Sequence, residues 1–234
     1  MKHILLVVTA AFLFQPLAGL ADTFIIFAFG DSITQGLKRD AAGNEWGITS
    51  PANGARVGGY EPPLESKFSQ STKHTAYVYN WGVGGEWTED GVNRIDGVLS
   101  SRSAQFILIM EGANNIISYG DGSANQVKFD LGVMIDKARA SGVEPILATV
   151  TPISGRNTPA LNDLIKGLAI EKNVLLADQY TAINSNLALY GSGDGIHINA
   201  TGDDKMADTW MTTLKRNPLV WRFNIAPIFL LLLN

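Results

Sequence analysis

Three residues in this chain have the types and settings needed to cleave an acyl bond. Ser32 stands in Gly30-Asp31-Ser32, directly after the apolar run Phe24 to Phe29. A serine hydroxyl is a weak nucleophile until an adjacent base takes its proton. The chain has three histidines, His3, His74 and His197. His3 lies in an N-terminal leader. His74 sits among Ser71, Thr72 and Lys73 just before a strand, where a solvated surface position is expected. His197 remains as the base, in Gly193-Asp194-Gly195-Ile196-His197. Asp194, three residues earlier, can turn back to bind the imidazole and stabilise its positive charge. A plainer reading stands beside this one: Asp and Ser are good helix caps. Taken alone, Asp31-Ser32 leaves nucleophile and cap equally open.

The elements that would position these groups follow from the apolar pattern. Phe24 to Phe29 is short, unbroken and rich in β-branched and aromatic residues, as suits a strand buried on both faces of a parallel sheet. Similar runs recur at Ala76–Tyr79, Phe106–Met110, Pro145–Val150 and Val174–Ala177. Between them, helical spacing places Val92, Ile95 and Val98-Leu99 on one stripe. Val127, Leu131, Met134 and Ala138 form a second, and Leu161, Leu164, Ile165 and Leu168 a third. A last helix from about Thr201 buries Met206 or Ala207, Trp210 and Leu214. Pro62-Pro63 suits the first turn of a short helix through Leu64 and Phe68. Five apolar strands alternating with helices predict a parallel sheet covered on both faces. The loops holding Ser32, Gly85 and Asn114 follow the first three strands, so they should meet at one edge of it. The passage Leu37 to Gly59, with Trp46 in it, is too long for an ordinary connection. It reads as either a functional loop or a flexible insertion.

Composition narrows the function classes. The 234 residues fit one large domain, and 46% apolar content with 24 glycines is that of a turn-rich globular protein. A net charge of −4 without a basic patch argues against nucleic acid as a partner. The absence of cysteine excludes disulfides, thiolate metal sites and a cysteine nucleophile. Gly82-Val83-Gly84-Gly85 lacks the third glycine of a dinucleotide fingerprint. No cofactor and no metal are expected.

Both ends of the chain carry apolar stretches. Lys2 and His3 precede Ile4 to Phe14, followed by Pro16 and the small-residue site Gly19-Leu20-Ala21. That is the layout of a secretory signal peptide over residues 1–21, which would leave a periplasmic or extracellular mature chain beginning at Asp22. Residues 22–218 then form the folded domain. Residues 219–234 run from Leu219-Val220-Trp221-Arg222 into the apolar Phe223 to Leu233, too short to span a bilayer. Two readings stay open for this tail. One is peripheral membrane contact with Trp221 and Arg222 at the interface, and the other is a segment docked on the domain.

Gly30-Asp31-Ser32-Ile33, Asn80-x-Gly82-x-x-Gly85, Gly112-x-Asn114 and Asp194-x-x-His197 together resemble the four sequence blocks of SGNH hydrolases, also called GDSL esterases and lipases. The order and spacing match from Phe24 to about Leu214. The resemblance implies a three-layer α/β/α sandwich, the flavodoxin-like SGNH hydrolase fold. It also implies a cofactor-free serine esterase with Ser32 as nucleophile, His197 as base and then acid, and Asp194 as the orienting carboxylate. The backbone N–H groups of Ser32 and Gly85 and the side-chain amide of Asn114 correspond to its oxyanion donors. One position departs from the family pattern: Asn115 stands where an Asp is usual. Altered loop packing with no loss of reaction is expected there.

The substrate is less defined. Gly58-Gly59-Tyr60 followed by Leu64 resembles a segment of carbohydrate acetyl esterases, and Trp46, Trp81 and Trp87 are candidates for sugar stacking or for core packing. A short-acyl esterase acting on acylated sugar or lipid is the first reading, with a lysophospholipase, lipase or thioesterase as the runner-up. A non-catalytic carbohydrate-binding protein on the same scaffold is the alternative of another class. Such a module has no need of Ser32, Asp194 and His197 together.

Overall fold

The computed structural model describes residues 23–222. The expected leader, 1–21, and the apolar residues 223–234 lie outside the described residues. In chain order the elements are β1 (Thr23–Gly30), α1 (Ser32–Gln35), β2 (Leu37–Arg39), β3 (Glu45–Gly47), α2 (Glu61–Thr72), β4 (Thr75–Gly82) and α3 (Thr88–Ser101). They continue with β5 (Phe106–Met110), α4 (Ala113–Tyr119), a 3-10 turn (Gly120–Ser123), α5 (Ala124–Ala140), β6 (Glu144–Ala148) and α6 (Thr158–Glu171). The last are β7 (Leu175–Ala177), α7 (Gln179–Asn184), α8 (Leu187–Tyr190), α9 (Ala200–Leu214) and α10 (Leu219–Arg222).

Five strands form one parallel sheet in the order β4-β1-β5-β6-β7, the doubly wound arrangement in which the first strand lies between the second and third. Side chains of β1 alternate between its faces. Phe27 and Phe29 pack with Ile95, Leu131 and Ile165 of α3, α5 and α6. Phe24, Ile26 and Ala28 pack with Leu64, Phe68, Met206 and Trp210 of α2 and α9. Both clusters are buried, which is why the strand reads as a continuous apolar run with no polar face. Each large side chain so buried contributes roughly 1.5–3 kcal/mol. The result is the expected three-layer α/β/α sandwich.

Three local findings refine the sequence reading. The long passage after α1 opens with an antiparallel hairpin of β2 and β3, paired Leu37 to Gly47 and Arg39 to Glu45. His74 is buried, against the solvated position expected. It precedes β4 at the sheet edge far from Ser32, and its ring packs on Phe24 at 5.6 Å. Neighbouring Ser, Thr and Lys in the sequence could not reveal that the Phe24 ring covers this site. At the other end, α10 folds back on the domain: Val220 is fully buried and Trp221 Nε1 donates to the Lys215 carbonyl at 2.8 Å.

Candidate active site

Ser32 begins α1 immediately beyond the end of β1. Asp31 is the N-cap, its Oδ1 accepting from the Ile33 N–H at 2.9 Å. Capping therefore falls to Asp31, and the Ser32 hydroxyl is turned elsewhere: its Oγ lies 2.9 Å from His197 Nε2. The turn requires glycine at position 30, because a Cβ there would stand 2.2 Å from Thr34 Oγ1 and 2.5 Å from the Met110 carbonyl oxygen.

His197 reaches Ser32 from the loop between α8 and α9. Asp194 shapes that loop by accepting from the N–H groups of Ile196 and His197 through Oδ1, at 2.9 and 2.8 Å. Its Oδ2 lies 2.6 Å from His197 Nδ1. Partial burial pushes the Asp194 carboxyl up, but the hydrogen bonds from His197 and Ile196 outweigh it and leave the group below the usual carboxylate range. The carboxylate therefore stays ionised beside the ring. Ser32, His197 and Asp194 form one continuous hydrogen-bonded chain.

The opposite wall comes from the loops after β4 and β5. Asn80, fully buried, donates through Nδ2 to the carbonyls of Thr34 and Val57 at 2.8 and 2.9 Å and accepts the Gly82 N–H at 2.8 Å. Gly82 lies so close to α1 that a Cβ there would meet Gln35 N at 2.1 Å. Gln35 then joins two loops, donating to the Ile48 carbonyl at 2.6 Å and accepting from the Gly84 N–H at 2.5 Å. Asn114 donates one amide hydrogen to the Glu86 carbonyl at 2.9 Å, leaving the other for a ligand. Among the described residues, the N–H groups of Ser32 and Gly85 have no protein acceptor.

Ser32, His197, Gly85 and Asn114 share one cleft of about 410 Å³, completed by polar Gln35, Arg39, Glu45 and Thr49 and apolar Leu37, Pro51, Ile117 and Ile196. That volume suits a small organic ligand. Every site residue expected from the sequence lies in this cleft except Asp194, which stands behind His197. Gln35 and the hairpin residues Arg39 and Glu45 were missed. Their only signal is their place beside the Gly-Asp-Ser block, because the contacts that make them useful join distant loops. None of Trp46, Trp81 and Trp87 lines the cleft. Trp81 packs edge-on to Phe27 at 6.4 Å and Trp87 to Tyr119 at 5.1 Å. Asn115 is buried, accepting from the Thr88 N–H at 3.0 Å and donating to Glu89 at 2.9 Å, so it ties the first turn of α4, which carries Asn114, to α3.

Comparison with known proteins agrees with this architecture. The family model described as the GDSL-like Lipase/Acylhydrolase family matches residues 28–205. An acetylxylan esterase from Geobacillus stearothermophilus superposes with a TM-score of 0.66 at 18% identity, over 84% of this chain and 96% of that one. A member of the lipolytic G-D-S-L family from Veillonella parvula gives 0.62 at 21% identity, over 83% and 100%. An aryl esterase of M. smegmatis gives 0.67 at 15% identity, over 82% and 99%. At these identities the likeness is one of fold. An uncharacterized lipoprotein of Bacillus subtilis, YqeF, is 31% identical over 80 residues, which is 32% of this chain and 33% of that relative.

Proposed function

The chain belongs to the GDSL-like lipase/acylhydrolase family and is a carboxylic ester hydrolase, and we propose that it hydrolyses short-acyl esters through Ser32, His197 and Asp194. The observation that carries this reading is the unbroken chain of hydrogen bonds, 2.9 Å from Ser32 Oγ to His197 Nε2 and 2.6 Å from His197 Nδ1 to Asp194. With Nδ1–H donated to Asp194, Nε2 is the acceptor for the serine proton. Ser32 Oγ attacks the acyl carbon while that proton moves to Nε2. The carbonyl oxygen becomes an oxyanion facing the N–H groups of Ser32 and Gly85 and the free amide hydrogen of Asn114. Collapse expels the alcohol, which takes the proton from Nε2. Water then attacks the acyl-enzyme, giving its proton to Nε2, and Ser32 leaves reprotonated with release of the acid.

An acetylated carbohydrate is the substrate we favour. Support comes from the polar rim formed by Gln35, Arg39, Glu45 and Thr49, and from the acetylxylan activity named for one structural neighbour. We also propose export, with residues 1–21 as the signal and 22–218 as the hydrolase domain. The basic, apolar and small-residue order of the leader supports it, as does the partial likeness to a lipoprotein. Membrane contact through the apolar stretch 219–234 belongs to the same proposal, with Leu219 and Val220 packed on the domain and Trp221 exposed beside them. Among the described residues no helix is long and apolar enough to cross a membrane.

Initial rates on p-nitrophenyl acetate, butyrate and octanoate, alongside acetylated xylo-oligosaccharide, test the substrate reading. Preference for acetate and release of acetate from the oligosaccharide are expected. Faster turnover of octanoate would move the assignment to a lipase.

A further inference from the structure

Behind the Gly85 wall of the cleft, three carboxyl groups meet in one buried cluster. β1 and β5 pair with Gly30 opposite Met110. The next residues, Asp31 and Glu111, therefore leave neighbouring strand ends, about 4.8 Å apart in such sheets. Glu86 enters directly after Gly85. Relative exposure is 2% for Asp31, 6% for Glu86 and 0% for Glu111.

A cation faces them from α3. Arg94 of α3 donates through Nε and Nη2 to the two oxygens of Glu86, at 2.7 and 2.5 Å. Tyr60, at the start of α2, faces Asp31 and Glu111 from the other side, with its hydroxyl 3.2 Å from Thr34 Oγ1. Glu86 is thus matched by Arg94, and Asp31 accepts the Ile33 N–H. By contrast, among the described residues no N–H or O–H donates to either oxygen of Glu111. An ionised carboxylate there would bear the whole cost of desolvation with two acidic neighbours and no donor. A protonated one bears little of it, and its O–H supplies the missing hydrogen bond to the Glu86 carboxyl beside it.

We propose that Glu111 is a positioning residue held as a neutral carboxylic acid, whose O–H donates to the Glu86 carboxylate and so fixes the backbone that carries the oxyanion donors. The proposal rests on reading Gly85 and Asn114 as those donors. Glu86 is the lever, because Gly85 precedes it and its carbonyl accepts from Asn114 Nδ2 at 2.9 Å. Burial first, then the charges of Asp31 and Glu86, push Glu111 well above the ordinary carboxyl range, with Arg94 opposing. A carboxyl raised in this way stabilises the fold fully below its unfolded value, and that contribution is lost as pH rises through its folded value.

The test compares Glu111→Gln and Glu111→Leu with wild type and Ser32→Ala, by kcat and KM on p-nitrophenyl acetate and by thermal melts at several pH values. Glu111→Leu removes the donor and should lower kcat by about tenfold or more with KM little changed. Glu111→Gln keeps a donor in the same place and should retain kcat within about threefold of wild type. Its melting temperature should gain on wild type as pH rises from about 5 to 8, since it has no proton to hold. Equal kcat losses in both variants, unchanged kcat in Glu111→Leu, or a pH-independent melting difference for Glu111→Gln would overturn the proposal. Should Glu111→Leu fail to fold, the Glu111→Gln melts decide it. Hydrolysis that survives in Ser32→Ala would overturn the reading of the site, and this proposal with it. An inert Ser32→Ala beside Glu111 variants that fail these expectations overturns this proposal alone.

Discussion

Ser192 holds Arg39 at two points: its Oγ donates to the Arg39 carbonyl at 2.7 Å and accepts the Arg39 N–H at 3.4 Å. Its own N–H donates to the His197 carbonyl at 2.8 Å. One small side chain therefore ties the β2–β3 hairpin, which walls the cleft, to the loop that carries the base. Ser192→Ala should cost about 1 kcal/mol of stability. It should also lower kcat by roughly tenfold, because small misplacements of a base are expensive. Denaturant melts and steady-state kinetics would check both. An unchanged kcat would show that the loop needs no support from the hairpin.

Asn114 offers the cleft one amide hydrogen while the Glu86 carbonyl fixes the other. Its contribution should therefore appear when the oxyanion forms and be nearly absent in the ground state. Asn114→Ala should lower kcat by about 10²–10³ with little change in KM. A rise in KM at constant kcat would assign the side chain to substrate binding instead.

Lys38 and Asp203 anchor the hairpin to α9. Lys38 Nζ contacts Asp203 Oδ2 at 2.5 Å and the Ile198 carbonyl at 3.3 Å, with both side chains largely buried. Burial pushes the Asp203 carboxyl up, and the Lys38 charge offsets part of that. Removing Lys38 takes away the cation that Asp203 contacts and leaves Asp203 beside the buried Glu61, so Lys38→Met should destabilise by about 3 kcal/mol. Urea melts measure it. A loss below about 1 kcal/mol would mean that Asp203 is neutral in the native protein.

Asp31 gives a pH signature. Burial first, with the Glu86 charge adding and the Ile33 N–H opposing, carries its carboxyl from 3.8 to about 7. The native protein therefore binds a proton that the unfolded chain has released. That contribution is complete below pH 3.8 and is lost as pH rises through about 7. Asp31→Asn keeps the Oδ1 cap and has no proton to bind. Its stability relative to wild type should rise across this window, by up to about 4 kcal/mol, and then level off. A flat difference would show that Asp31 ionises normally.

The sheet and the four blocks were legible because they are local. Phe24–Phe29 is apolar on both faces, Phe106–Met110 repeats the pattern, and Asp194 and His197 are three residues apart. What stayed hidden depends on contacts between segments far apart in the chain. Gln35 bridges Ile48 and Gly84, and Ser192 grips Arg39 across 153 residues. His74 looked solvated because nothing near it in sequence shows the Phe24 ring that covers it. Trp81 and Trp87 carry the same residue type whether they bind sugar or pack on Phe27 and Tyr119.

The most direct measurement of the central claim is intact-protein mass after exposure to a fluorophosphonate, with the adduct mapped by peptide digestion. One adduct is expected, on the peptide containing Ser32. It should be absent in Ser32→Ala and form far more slowly in His197→Ala, with ester hydrolysis lost in parallel. An adduct at another serine, or hydrolysis that survives in Ser32→Ala, would contradict the account.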